Sequence, residues 1–234
     1  MSLSENIAKL RARIQRALER SPFGNRQLII MGASKGQSLN KIREIAELGI
    51  SHMGENYAQE LLTKAPISMD LDIQWHFIGR LQSNKIKHIL PYVTSIDSVD
   101  SVELVQKIGR VRRQLELKRE RIPIMIQVNV GQERQKSGLS PDVVENLFPD
   151  FLEEGGVEVV GLMCIPPAHK DVKKIRPYFK QMKELFEKLK LLHKNPEHFQ
   201  YLSMGMSADF EVALEEGSNC IRIGTALFGP RPPK

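Results

Sequence analysis

Residues 201–229 read YLSMGMSADFEVALEEGSNCIRIGTALFG. An apolar run through Leu202 and Met204 stops at a turn of glycine and serine. SADFEVALEEG follows with helical character, with Ser207 expected as its N-cap and Gly217 as its left-handed C-cap. CIRIGTALFG then returns to a strand and a second small-residue turn. Strand, crossover helix and strand make one βαβ unit, whose strands pair in parallel.

Moving upstream, the alternation repeats. VEVVGLMCI is a strand, followed by an amphipathic helix carrying Ile175, Phe179, Met182, Phe186 and Leu189. IPIMIQVNVG is the clearest strand of the chain. Ser140 and Pro141 start a helix that is expected to run to Gly155–Gly156. YVTSID, IQWHFIG, ISHMG and QLIIMGAS read as further strands, with helices between them. Several strands are apolar throughout, as expected where both faces are covered. About eight strand–helix units result, preceded by one extra helix bearing Leu3, Ile7, Leu10, Ile14 and Leu18. That pattern in 234 residues predicts an α/β fold, a single (β/α)8 TIM barrel over residues 1–234. A doubly wound sheet is the competitor; the short loops and the lack of a Gly-x-Gly-x-x-Gly fingerprint favour the barrel.

Composition narrows the function classes. The chain is 41% hydrophobic and 26% charged, ordinary for a globular protein. No apolar run approaches the roughly 20 residues that span a bilayer, and the N-terminal segment lacks a signal peptide's continuous apolar core. Two cysteines, Cys164 and Cys220, form neither a disulfide framework nor a metal-ligand spacing, so no metal and a cytoplasmic setting are expected. The net charge of +6 suits an anionic ligand but decides little. The basic run from Arg110 and Arg112 through Arg113, Lys118, Arg119 and Arg121 has no interleaved stacking aromatics. It reads as a solvated face rather than a nucleic-acid surface.

In a barrel the chemistry sits at the C-terminal strand ends. Those ends carry Lys35, Glu55–Asn56, the segment from His76 to Arg80, Asn129, Met163, Ser203 to Ser207 and Arg222 to Thr225. Ser203, Gly205, Ser207, Gly224 and Thr225 supply hydroxyls and small residues where barrels commonly bind phosphate. Lys35 ends the first strand. Position alone fits either an amine that forms a Schiff base or a lysine that snorkels to water or pairs with phosphate. An aldehyde cofactor bearing its own phosphate would use both features, and pyridoxal 5′-phosphate (PLP) is that molecule.

ASK, GENYAQE, WHFIGRLQSNK, QVNVGQERQKSG, GLMCIPP and LSMGMSADFEVALEEGSNCIRIGTALFG run nearly end to end. Together they resemble the pyridoxal-phosphate homeostasis proteins, single-domain relatives of the alanine racemase barrel (fold type III of the PLP-binding proteins). The resemblance implies that Lys35 forms the internal aldimine and that Asn56 lies beside the cofactor ring. It implies that Ser203, Gly224 and Thr225 hold the phosphate with main-chain help from Met204 and Gly205, and that Arg222 faces the pyridine nitrogen. It also implies a monomeric carrier that keeps free PLP low and supplies PLP-dependent apoenzymes, with no catalytic residues of its own. The racemases of this fold carry an additional domain with a catalytic tyrosine; this sequence runs from the barrel to GPRPPK. A weak PLP-dependent amino-acid racemase is the alternative within the enzyme class. Gly36-Gln37-Ser38 replaces the Thr-Lys-Pro common in bacterial members, whereas Lys136 matches a family lysine and reads equally as a secondary aldehyde site or a loop charge. Trp75-His76 reads as core.

Overall fold

A computed structural model describes residues 2–24, 26–169 and 171–230; residues 231–234 of the expected domain, within GPRPPK, lie outside the described residues. Eight strands alternate with helices: β1 (Ile29–Ala33), β2 (His52–Glu55), β3 (Gln74–Phe77), β4 (Ser95–Val99), β5 (Ile122–Val128), β6 (Val157–Cys164), β7 (Tyr201–Met206) and β8 (Cys220–Ile223). Each pairs in parallel with the next. β1 also pairs with β8, with Ile29 opposite Cys220 and Met31 opposite Arg222, which closes the barrel. The barrel expectation therefore holds and the doubly wound sheet is excluded.

The helices are α1 (Leu3–Arg20), α2 (Leu39–Glu47), α3 (Ala58–Lys64), α4 (Ile86–Ile89), α5 (Val102–Gln114), α6 (Pro141–Leu152), α7 (Arg176–Leu192), α8 (Phe210–Glu215) and α9 (Thr225–Phe228). The helix read as extra has a structural task. The segment after β8 makes only the one-turn α9, too short to cover the β8–β1 seam. α1 packs against α8, α9 and α2 and fills that place in the ring. Its stripe of Leu3, Ile7, Leu10 and Ile14 is buried, and the buried Asn6 Nδ2 donates to the Leu227 carbonyl at 3.0 Å. Ser2 and Glu5 form a capping box at its start.

Strand alternation divides the core in two. Outward-facing side chains meet the helices in the main apolar cluster. Inward-facing ones, among them Ile29, Met31, Met125, Val160 and Met163, fill the barrel. Some local expectations change. α6 ends at Leu152, short of Gly155–Gly156. The serine that caps the long fifth helix is Ser101, whose Oγ accepts from Leu104 N–H at 3.2 Å. The basic run is only partly a solvated face: Arg113 pairs with Glu154, and Arg119 donates to the carbonyls of Leu90, Val93 and Thr94. Among the described residues no helix is long and apolar enough to cross a membrane, and no group of three or more His, Cys, Asp or Glu could hold a metal.

Candidate cofactor site

Lys35 stands in the turn from β1 to α2. Gln37 N–H closes that turn on the Ser34 carbonyl at 2.9 Å, and Gly36 takes φ +69°, a value that favours glycine. The lysine Nζ lies 4.6 Å from the centroid of the Tyr57 ring, a cation–π distance. Beneath it is a strut that the sequence did not announce. Lys64 Nζ, at the end of α3, donates to Ser34 O at 3.0 Å, Glu55 Oε1 at 2.9 Å and Glu60 Oε2 at 2.7 Å. Ser34 Oγ donates to Glu55 Oε2 at 2.9 Å, and Gly36 N–H donates to Glu60 Oε2 at 2.8 Å. The residues on both sides of Lys35 are thus tied to one buried cation and two carboxylates. Glu55 serves this strut rather than orienting Asn56. The only sequence signal was the i, i+4 spacing of Glu60 and Lys64.

The two carboxyls are driven apart. Burial raises Glu55 to about 7, with Glu60 pushing the same way and Lys64 opposing. Burial works against the Glu60 anion too, but hydrogen bonds involving Glu55, Lys64 and the Gly36 N–H outweigh it and bring Glu60 down to about 2. The folded chain therefore binds the Glu55 proton more tightly than the unfolded chain does. Stability from this group is full below its ordinary value of 4.5 and is lost as pH rises through about 7. Glu55→Gln mimics the protonated form. Urea unfolding should find the variant close to the parent at pH 5 and more stable by on the order of 2 kcal/mol at pH 8. Equal destabilisation at both pH values would mean Glu55 is ionised throughout.

Arg222 reaches the same mouth from β8. It is 4% exposed, and it donates to Ser203 Oγ at 2.6 Å and to the Cys164 carbonyl at 2.7 Å. No carboxylate forms an ion pair with it among the described residues, so its charge is available to an electron-rich ligand. This is where Ser203 departs from expectation: its hydroxyl is buried against Arg222 instead of lying in the loop. Met204 turns outward into the apolar core, so only its backbone is available. Gly205 takes φ +97° where β7 leaves the barrel, and a Cβ there would meet Ala213 at 2.6 Å.

Ser207 also differs from expectation. It does not cap α8, which begins at Phe210 with Asp209 before it. Asp209 Oδ1 accepts from Met206 N–H at 2.6 Å and shapes the turn. Ser207 Oγ crosses to the neighbouring loop, where it accepts from Gly224 N–H and Ala226 N–H, both at 3.2 Å. The loops after β7 and β8 are thereby joined, with the N–H groups of the α9 start gathered around one oxygen. Thr225 is exposed beside them, and a Cβ on Gly224 would find only Ala33, at 3.8 Å. The lysine amine, the acid-free guanidinium and this polar double loop fit a phosphorylated aldehyde.

Asn56 lies across the mouth. Gly79 allows it to sit there, since a Cβ at 79 would fall 2.0 Å from the Asn56 carbonyl oxygen. Asn56, Ile78, Arg80, Gln127 and Lys136 border a hollow of about 250 Å³. Lys136 is not a loose loop charge: its Nζ donates to Pro166 O at 2.7 Å and pairs with Glu133 at 2.5 Å. Trp75 and His76 lie away from this mouth. Trp75 points outward and donates to Ser68 Oγ at 3.3 Å. Cys164 and Cys220 are buried, and burial pushes both thiols up to about 12.

Residues 5–232 match the family model of the alanine racemase N-terminal domain. The chain is 41% identical over 231 residues to the pyridoxal phosphate homeostasis protein of Aquifex aeolicus, covering 99% of each. The chain belongs to the pyridoxal phosphate homeostasis protein family. PipY of Synechococcus elongatus, solved with PLP bound, superimposes with a TM-score of 0.82 at 29% identity, covering 97% of this chain and 100% of PipY. An alanine racemase of Clostridium difficile shares the fold, with a TM-score of 0.72 at 14% identity. The chain covers 57% of that racemase.

Proposed function

We propose that this chain binds pyridoxal 5′-phosphate at the C-terminal mouth of the barrel, buffers it, and hands it to PLP-dependent apoenzymes as a cytoplasmic, monomeric, single-domain carrier. The observation that carries this reading is Lys35, an amine whose neighbours are tied down at the rim of a mouth whose buried guanidinium forms no ion pair among the described residues. The name of the Aquifex relative and the PLP bound to PipY support the same ligand. Once bound, the cofactor supplies an aldehyde for capture by an amine and a phosphate anion for recognition. Lys35 is the capturing amine. Gly224, Thr225, Ser207 and the backbone of Met204 and Gly205 would hold the phosphate, with Ser203 acting through Arg222. Asn56 flanks the ring.

Arg222 would donate to the ring nitrogen of the bound cofactor. A guanidinium offers hydrogen bonds without giving up its proton, so the ring remains a weak electron sink. Carbanion chemistry is damped on that account, and a carrier is favoured over a racemase. Mixing the holo-protein with a PLP-dependent apoenzyme should restore activity faster than the rate set by spontaneous release into a PLP trap. Recovery that never exceeds trapped release would remove the hand-over role and leave a buffer. Alanine racemisation lost with Lys35→Ala would restore the enzyme reading.

A further inference from the structure

The opposite, N-terminal mouth of the barrel is not packed shut. TIM barrels fill their interior with layers of branched side chains. Here His52, Ser95, Pro123 and Tyr201 border a hollow of about 290 Å³. That is room for roughly ten water-sized groups. Ile29, Met125 and Val160 give it an apolar wall, and Glu158, paired with His198 at 2.7 Å, stands at the rim.

A directed hydrogen-bond chain ends in this hollow. It starts at Asp97, which is fully buried and has one carboxylate oxygen, Oδ2, without a hydrogen bond. Carboxylates only accept, so Ser95 spends its single proton on Asp97 Oδ1. His76 must then donate from Nδ1 to Ser95 Oγ, at 2.7 Å. His76 Nδ1 also lies 3.5 Å from Asp97 Oδ2, and with His76 Nε2 as the acceptor, His52 Nδ1, 2.8 Å away, is its donor. The last free position is His52 Nε2, a bare acceptor with no partner among the described residues, on a residue that lines the hollow. Burial, followed by the neighbouring His76, lowers His52 to about 4, consistent with a neutral ring. No lysine or arginine lines the hollow, while one carboxylate stands at its rim and another lies behind its histidines.

We propose that this N-terminal mouth is a second ligand site, separate from the cofactor's, that takes a small organic amine in its ammonium form with a short apolar body. The ammonium donates to His52 Nε2 within reach of Glu158, and the body lies against Met125 and Val160. A carboxylate-bearing ligand meets no cation there. The site needs neither Lys35 nor bound PLP.

The test is titration calorimetry with N,N-dimethylphenethylamine, a tertiary amine of suitable size that cannot form an imine at Lys35. Binding should be equal for the holo-protein and the Lys35→Ala variant, and undetectable for phenylacetate. Val160→Trp, which fills the hollow, and His52→Leu, which removes the acceptor, should each lower affinity about tenfold or more. Melting curves for all three variants, and retained cofactor colour for Val160→Trp and His52→Leu, establish that they are folded. No binding to the parent protein, equal binding of phenylacetate, loss of binding in Lys35→Ala, or affinity that survives both substitutions would each overturn the proposal.

Discussion

Lys35→Ala should yield a colourless protein that releases PLP on dialysis, with affinity for the cofactor lower by about a thousandfold, or ~4 kcal/mol. The size follows from what remains. Arg222 and the joined loops after β7 and β8 are far from the substitution in sequence and are held by their own hydrogen bonds. They still recognise a phosphate and a ring, so the variant should bind weakly and be displaced by inorganic phosphate. The lost part is the covalent capture that only an amine in this position supplies. Visible absorbance and equilibrium dialysis measure the two parts separately. A variant that keeps the visible band would mean that another lysine holds the cofactor. Lys136, bordering the hollow beside Asn56, would then be the next to replace.

Lys64→Met should be the most destabilising single change near the site, at about 3–5 kcal/mol. Lys64 is 8% exposed and spends its three protons on Ser34 O, Glu55 and Glu60. Removing it leaves two carboxyls facing each other, one of them in full burial, and a carbonyl with one donor fewer. Adding Glu55→Gln removes the more deeply buried of the two acids, so the double variant should be more stable than Lys64→Met alone. That non-additivity separates loss of the charge centre from a simple packing defect. Chemical denaturation gives both values. A cost under about 1 kcal/mol for Lys64→Met would mean the strut is solvated and contributes little. PLP release from Lys64→Met should also quicken, because the turn that carries Lys35 loses the anchor at Ser34.

The barrel could be read from the sequence because parallel strands covered on both faces appear as continuous apolar runs, and IPIMIQV and VEVVGLMC are such runs. Lys35, Asn56 and Arg222 were singled out by the same logic, since each sits at or just beyond a strand's end. Ser207 was misread because a serine ahead of an acidic, amphipathic run has the signature of a cap. Asp209, two residues on, lies beside the helix start, and the freed hydroxyl pairs with a loop distant in sequence. Ser203 follows from strand alternation: it points inward, where Arg222 already waits. The strut under Lys35 could not be read, because Glu55 ends a strand, Lys64 ends a helix, and the two meet only when the chain folds. The His52–His76 contact depends on strand register in the same way: β2 and β3 must align with Gly54 opposite His76 before the two rings meet.

The first helix completing the ring has a consequence for how the molecule forms. The Asn6–Leu227 hydrogen bond joins residues 221 apart in sequence. Closing a chain segment of that length costs roughly 5 kcal/mol in entropy before any contact is gained. The neighbours β5 and β6, joined through α6, can assemble early, but the seam between β8 and β1 must wait for both ends of the domain. During synthesis the apolar stripe of α1 therefore leaves the ribosome well before α8 and α9, its main partners, and stays partly uncovered until they emerge. Barrel closure is the late, slow event in the life of this chain. Until it happens, the turn after β1 that carries Lys35 and the strand β8 that carries Arg222 are not brought together, and the mouth that holds both does not exist.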